Sequence, residues 1–276
     1  AAASVKSFKA AVAAGLGQLK VTGAKHIVVA VADSLPLTAL HGEALAACAN
    51  EANYVYRHTK PSAPKAPAMV RFTLVCAKAQ ARDVAAGLQR GSAIAAGVTL
   101  ARECANRPGN VCTPTFLGEQ ARRLGKEHGL KVEVLDRKAV EKLGMGAFLA
   151  VAQGSSEPLR FIVARYEGAA KSQAPVVLVG KGITFDTGGI SIKPSAEMDE
   201  MKYDMGGAAS VLGTLRAVAE IKPKLNVIGI IPSCDNMPSG HAVKPGDVVT
   251  SLSGQTIEIL NTDAEGRLIL CDALTY

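Results

Sequence analysis

The sequence predicts an α/β protein: a partial N-terminal α/β domain, a long connecting helix, and a second domain with a mostly parallel central sheet flanked by helices. In the second half of the chain, short apolar runs alternate with helix-like segments, which is typical of such a sheet. Earlier in the chain, a proline-rich stretch and a Pro-Gly break interrupt the regular patterns. A length of 276 residues can hold one large domain or two modest ones.

The first domain, predicted over residues 1–82, contains two strands and one helix. The run His26–Ala32 (HIVVAVA) is predicted to be a buried strand, and Thr38–His58 to be a helix with an apolar face. Thr59–Ala68 has three prolines in ten residues, so it is predicted to be a loop, because proline cannot continue regular structure. Met69–Ala77 (MVRFTLVCA) is the second predicted strand.

One long helix joins the two predicted domains. Residues 83–106 are rich in alanine and apolar at helical spacing, which predicts a connecting helix over Asp83–Asn106. The sequence Arg107–Asn110 (RPGN) ends it, since proline and glycine do not continue helices. The second domain is therefore predicted over residues 107–276.

The second domain alternates strands with helices. Helices are predicted at Thr115–His128 and Met205–Ile221, and a third begins near Glu265. The predicted strands are Lys131–Leu135, Phe161–Tyr166, Val176–Val179, Asn226–Pro232 and Thr256–Leu260. The final run, Leu268–Tyr276, is an amphipathic helix without a Gly, Pro or polar stop, so we expect the natural chain to continue and this domain to be truncated at its C-terminus.

Composition excludes some classes of protein. Hydrophobic residues make up 48% and charged residues 20%, which is ordinary for a folded globular protein. No run of about 18 apolar residues is present, which argues against a membrane span. The six cysteines form no C-x-x-C pair, which favours reduced thiols and a cytoplasmic location.

Positive charge is concentrated early in the chain. Residues 1–110 hold 13 of the 31 Lys and Arg residues but only five of the 24 Asp and Glu residues. This excess would suit an acidic partner such as DNA. Solvated surfaces explain the same charge without a partner and are the favoured interpretation, because no helix-turn-helix or zinc-finger pattern is present.

Three segments concentrate charged residues at predicted strand or helix ends. In Val179–Pro194 (VGKGITFDTGGISIKP), a buried strand leads directly into Lys181, and Asp186 and Lys193 follow. A lysine at the tip of a buried strand is unusual, because burying an unpaired ammonium group is costly. The Gly188-Gly189 pair permits a sharp turn.

The second and third segments supply further carboxylates. In MDEMKYDMGGAA, Asp204 precedes a predicted helix, where a simple N-terminal capping role is the favoured interpretation if the segment is taken alone. In NTDAEGRL, Asp263, Glu265 and Arg267 follow an apolar strand closely. Ligands of open α/β sheets bind at the carboxyl ends of strands, so packing explains this group poorly, although a surface loop is an alternative.

Taken together, four carboxylates and two lysines at element ends indicate a cation site. Converging carboxylates repel one another unless cations lie among them. Oxygen-rich sites suit Mg, Mn or Zn, and bridging carboxylates suit a pair of metals. The sequence has no H-E-x-x-H motif, its five histidines show no ligand-like spacing, and it lacks the G-x-x-x-x-G-K-[ST] phosphate loop.

These segments resemble the leucyl aminopeptidase family, in particular its bacterial aminopeptidase A branch. NTDAEGRL matches the family signature without a departure, and GKGITFDTGGISIKP and MDEMKYDMGGAA match in the same order with compatible spacing. The resemblance extends along most of the chain and is weakest before residue 100. It implies a metal-dependent aminopeptidase, that is, a hydrolase and metalloprotease that releases Leu and other apolar residues from the amino end of peptides.

The resemblance also implies roles for individual residues. The implied metal ligands are Lys181, Asp186, Asp204, Asp263 and Glu265, with Asp186 and Glu265 bridging two Mn²⁺ or Zn²⁺ ions. Lys193 and Arg267 are the implied catalytic pair, with a bicarbonate ion at Arg267. Lys193 and Met201 are the implied contacts to the substrate.

The family further implies a cytoplasmic homohexamer, and some bacterial members of this branch also bind DNA as regulators. A catalytically inactive structural homologue is the remaining alternative. The complete set of site residues argues against it, because nothing would retain those residues without chemistry to perform.

Overall fold

A computed structural model describes residues 4–32 and 36–276, which divide into two compact units. One unit reaches as far as Thr99, and the other covers Leu100–Tyr276. The domain limits expected from the sequence (1–82, 83–106 and 107–276) remain predictions, and the first of them includes positions outside the described residues. Within the described ranges, no helix combines the length and the apolar character that crossing a bilayer requires.

The first unit packs helices around a two-stranded parallel sheet. Its elements are α1 (Val5–Leu19), β1 (His26–Val29), α2 (Ala39–Asn53), β2 (Arg71–Leu74), a 3-10 turn (Lys78–Gln80) and the part of α3 (Ala81–Ala105) up to Thr99. The core contains Phe8 and Leu16 of α1, Leu45 of α2, and Ile27 and Leu74 of the strands. The two predicted strands and α2 are present but shorter than predicted, α3 begins at Ala81 instead of Asp83 and ends at Ala105 instead of Asn106, and α1 was not predicted. Its start is set by Ser4, whose hydroxyl accepts a hydrogen bond from the Ser7 amide.

The second unit contains a five-stranded sheet between helices. Its elements are α4 (Pro114–His128), β3 (Lys131–Leu135), α5 (Arg137–Leu143), α6 (Gly146–Ala152), β4 (Arg160–Glu167), β5 (Val176–Val179), β6 (Gly182–Asp186), a 3-10 helix (Met198–Tyr203), α7 (Gly206–Ile221), β7 (Asn226–Asn236), β8 (Val248–Thr250), β9 (Thr256–Glu258), a 3-10 turn (Thr262–Ala264) and α8 (Glu265–Thr275).

Strand β7 is the central strand of the sheet. The order is β3-β4-β7-β5, and β6 also pairs with β7, further along its length. β4 is antiparallel to both β3 and β7, whereas β5 and β6 are parallel to β7, so only β4 opposes the other four strands. The predicted mostly parallel sheet flanked by helices is therefore confirmed.

Both faces of this sheet are buried. Along β4, Phe161 and Val163 face one apolar cluster, while Ile162 and Ala164 face another. This alternation follows from the two-residue repeat of a strand. The first cluster includes residues of α6 and α8, and the second includes residues of α4 and α7. Because both faces are covered, the middle of β4 (FIVA) and of β7 (VIGII) carries no polar side chain.

Candidate metal centre

The connection between β5 and β6 brings Lys181 against the start of α7. A side chain at Gly180 would place its Cβ 2.5 Å from the Gly207 carbonyl oxygen, and one at Gly207 would lie 2.8 Å from the Lys181 nitrogen. The Ala208 amide donates to the Lys181 carbonyl at 2.9 Å. Glycine is thus required where the two backbones touch, and this contact places Asp204, just before α7, beside Lys181.

A tight turn after β6 returns Lys193 to the end of the same strand. Gly188 and Gly189 both have positive φ angles, which glycine adopts without strain. The Gly188 amide donates to Asp186 Oδ1 at 2.9 Å, and the Lys193 amide donates to the Thr187 carbonyl at 2.9 Å. The Lys193 ammonium consequently lies 3.0 Å from Asp186 Oδ2.

The third segment enters the site at the start of α8. The Asn261 side chain accepts a hydrogen bond from the Asp263 amide at 2.9 Å, which stabilises the 3-10 turn before the helix. Glu265, the first residue of α8, is only 2% exposed. A Cβ at Gly266 would lie 3.1 Å from Lys181 Nζ, so this glycine leaves room for the lysine side chain.

Carboxylates and ammonium groups alternate within the cluster. Lys181 Nζ lies 2.5 Å from Glu265 Oε1 and 2.9 Å from Asp204 Oδ2. Lys193 Nζ contacts Asp263 as well as Asp186. Each lysine therefore joins two carboxylates that are distant in the sequence, and four carboxylates against two lysines leave an excess of negative charge.

The pKa values follow from burial and these contacts. Burial raises the pKa of Asp204 to about 6, against the lowering effect of Lys181. Burial alone would lower the pKa of Lys181, but its contacts with Glu265 and Asp204 outweigh burial and raise it. The pKa of Lys193 is likewise raised, because Asp263 and Asp186 outweigh its burial. Both lysines are therefore protonated in this arrangement.

The donor set fits a divalent cation. Oxygen atoms of Asp186, Asp263 and Glu265 lie within 4.8 Å of one another, which is close enough for one cation to contact all three. Glu265 Oε2 is buried without a hydrogen-bond partner. A buried, unpartnered carboxylate oxygen is costly, and a cation would satisfy it.

Two of the predicted site residues, Met201 and Arg267, lie outside the ion-paired cluster that the other six form. Met201 lies half-buried in the 3-10 helix before α7, and its carbonyl accepts the Asp204 amide at 3.3 Å. Arg267 is exposed on the first turn of α8, and its guanidinium makes no hydrogen bond or ion pair with the part of the chain that the structure describes. The structure therefore brings together Lys181, Asp186, Lys193, Asp204, Asp263 and Glu265 through direct contacts, with Met201 and Arg267 adjacent in sequence.

Sequence reasoning missed one buried residue of the site. Asn236, the last residue of β7, donates to Asp186 Oδ1 at 2.8 Å and to the Thr262 carbonyl at 3.1 Å. A polar residue just beyond an apolar strand was the sequence feature that could have identified Asn236. The strand was predicted to end at Pro232, so Asn236 was not assigned to its carboxyl end.

Comparison with known proteins shows which family the chain belongs to. Residues 99–276 match the family described as "Cytosol aminopeptidase family, catalytic domain". The chain belongs to the cytosol aminopeptidase family. The resemblance drawn from the three sequence segments is thereby confirmed.

Several cytosol aminopeptidase relatives are close in sequence. A protein of Methylibium petroleiphilum described as "Probable cytosol aminopeptidase" is 70% identical over 274 residues, which are 99% of this chain and 56% of that protein. A protein of Polaromonas naphthalenivorans with the same description is 60% identical, over 99% of this chain and 53% of its own length. The chain thus spans about half the length of the curated relatives it matches.

Two solved structures share the fold. The bottromycin maturation enzyme BotP in complex with Mn superposes with a TM-score of 0.83 at 35% identity. A second structure of BotP gives 0.81 at 36% identity. Each match covers 98% of this chain and 56% of the BotP chain.

Proposed function

We propose that the protein is a metal-dependent leucyl aminopeptidase, which releases N-terminal Leu and other apolar residues from peptides. The observation that carries the proposal is the cluster of three carboxylates within 4.8 Å, with a buried Glu265 oxygen that lacks a partner. Membership of the cytosol aminopeptidase family supports the reaction class, and the Mn complex of the similar BotP structure favours manganese over zinc.

In this proposal five residues hold two divalent ions. They are Lys181, Asp186, Asp204, Asp263 and Glu265, and in the family pattern Asp186 and Glu265 would be shared by both ions. Ions held there would lower the pKa of a bound water and would polarise a carbonyl group. Lys181 would coordinate through its unprotonated amine, so the proton stabilised there by Glu265 and Asp204 must leave when an ion binds.

Lys193 and Arg267 provide the positive groups outside the ligand set. Lys193 carries a proton with a raised pKa and is held beside Asp186 and Asp263, where it can donate a hydrogen bond to a developing oxyanion. Arg267 is exposed and unpaired among the described residues, and its planar guanidinium suits a bicarbonate ion. Arginine cannot accept a proton itself, so a bound bicarbonate is the base this proposal requires.

Substrate selection would follow from the same groups. A free α-amino group would bind beside the carboxylate cluster, which restricts the reaction to amino ends. Met201, half-buried before α7, would contact the first side chain of the peptide. An apolar thioether at this position favours Leu and similar residues.

The decisive test is hydrolysis of a leucine anilide by the complete protein that the gene encodes. The protein is stripped of metal and then given Mn²⁺ or Zn²⁺. We expect activity to return with metal, to be absent in Asp263→Ala, and to be absent for the N-acetylated substrate. A folded, assembled protein that remains inactive with both metals would contradict the proposal.

Other parts of the proposal depend on the family resemblance and on charge. They are a cytoplasmic location, a homohexamer and an additional role in binding DNA. The six free cysteines suit a reducing compartment, and light scattering of the complete protein measures its assembly. A band shift with duplex DNA that weakens with salt and persists in Asp263→Ala would support DNA binding independently of catalysis.

A further inference from the structure

Asn236 connects two separate parts of the candidate metal centre. Its side-chain amide has two N–H groups, and both are used: one donates to Asp186 Oδ1 at 2.8 Å and the other to the Thr262 carbonyl at 3.1 Å. Asp186 ends β6, whereas Thr262 begins the 3-10 turn that carries Asp263. One side chain, 2% exposed, therefore links the two segments that bear these carboxylates.

The hydrogen bonds determine which oxygen of Asp186 is available. Oδ1 accepts from both Asn236 and the Gly188 amide, the latter at 2.9 Å. The other oxygen, Oδ2, faces the cluster and contacts Lys193 at 3.0 Å. Because two donors hold Oδ1, the carboxylate cannot rotate without leaving a buried N–H group unsatisfied.

Thr262 makes further hydrogen bonds between the turn after β6 and the turn before α8. Its hydroxyl donates to the Gly188 carbonyl at 2.6 Å and accepts from the Ser191 amide at 2.8 Å. The Ser191 hydroxyl in turn accepts from the Thr262 amide at 3.2 Å. The turn after β6 and the turn before α8 are thus joined by a buried hydrogen-bond network.

We propose that Asn236 is a positioning residue of the metal centre, which orients Asp186 and sets its separation from Asp263. This inference rests on the proposed function, since it assigns a purpose to the orientation of the carboxylates. Hydrogen bonds to metal-bound carboxylates maintain ligand geometry, and their loss typically weakens metal affinity about 10- to 100-fold.

The test compares two asparagines of the same strand. Asn236→Leu keeps the approximate shape and removes the donor. Asn226→Leu makes the same change at the other end of β7, where the Asn226 amide donates to the Ala170 and Gln173 carbonyls. In the complete protein, we expect Asn236→Leu to weaken Mn²⁺ binding about 10- to 100-fold by titration calorimetry, and Asn226→Leu to leave it unchanged.

Hydrogen exchange of the metal-free protein gives an independent readout. Without Asn236, the amides of Gly188 and Ser191 should exchange faster, because the network that orders both turns is broken. In Asn226→Leu, exchange should change only near residues 168–173. Should Asn236→Leu fail to fold, Asn236→Ala replaces it: alanine removes both donors without adding a bulky apolar side chain, and Mn²⁺ affinity should fall in the same way.

The outcomes separate the two proposals. Normal Mn²⁺ affinity together with normal exchange in Asn236→Leu would overturn the positioning role. If the wild-type protein binds neither Mn²⁺ nor Zn²⁺, the proposed function fails, and the exchange measurement alone then decides whether Asn236 positions Asp186.

Discussion

The Lys181 ammonium lies 2.5 Å from Glu265 Oε1, although 84 positions separate these residues in the sequence. Glu265 is 2% exposed, so this contact places a counter-ion beside a buried carboxylate. The same ammonium lies 2.9 Å from Asp204 Oδ2. One lysine at the start of β6 therefore stabilises carboxylates at the beginnings of two helices.

Replacing Lys181 should destabilise the metal-free protein. Lys181→Met leaves the buried Glu265 carboxylate without its counter-ion, and we expect the free energy of unfolding to fall by about 2–4 kcal/mol, with the partial exposure of Lys181 reducing the larger cost of a fully buried pair. Urea unfolding of metal-free protein measures this change. The exposed Lys171→Met is the control, and equal stability of the two variants would contradict the prediction.

Of the two glycines at the start of α7, only Gly207 should be intolerant of alanine. Gly207→Ala places a Cβ 2.8 Å from the Lys181 backbone nitrogen, so α7 must shift and carry Asp204 with it. At Gly206 nothing lies within 4 Å, and alanine there is tolerated in a helix. We expect weaker Mn²⁺ binding and a lower melting temperature for Gly207→Ala only. Equal Mn²⁺ affinity and equal melting temperature for the two variants would show that the close approach of Gly207 to the Lys181 backbone does not matter.

Lys193 should affect turnover more than substrate binding, if the proposed function holds. Lys193→Ala removes a donor that would act chiefly on the oxyanion, so we expect kcat to fall about 100- to 1000-fold with a small change in KM. Steady-state kinetics of the Mn²⁺-loaded protein, with metal content checked, measures both constants. The exposed Lys224→Ala should behave as wild type. Near-normal kcat in Lys193→Ala would show that the lysine serves only to pair the carboxylates.

Asp272 should stabilise the fold without taking part in catalysis. It is fully buried and accepts hydrogen bonds from the Phe148 amide at 2.9 Å and the Leu252 amide at 2.7 Å. Asp272→Ala leaves both amides without an acceptor, so we expect a loss of about 2–4 kcal/mol in urea unfolding. Glu258→Ala, at an exposed position in β9, is the control. A loss for Asp272→Ala no larger than that of the control would contradict this role.

The sequence predicted those elements whose apolar pattern is local. β3 and β5 have the predicted limits, and α4 and α7 lie within one residue of them. Several other short elements were missed, among them α6 and β6. α6 (GAFLAVA) is apolar on every side because it is buried, and such a run does not distinguish a helix from a strand. β6 has five residues, including a glycine and an aspartate, and becomes a strand only by pairing with β7.

The sequence by itself determined the fold class and the chemical types at the site, since apolar periodicity and charged residues at element ends are properties of consecutive residues. Only the tertiary structure decided which groups meet. The pairing of Lys181 with Glu265, of Lys193 with Asp263, and of Asn236 with both Asp186 and Thr262 depends on where β6 lies along β7 and how α8 packs. These contacts join residues far apart in the chain, so no local pattern encodes them.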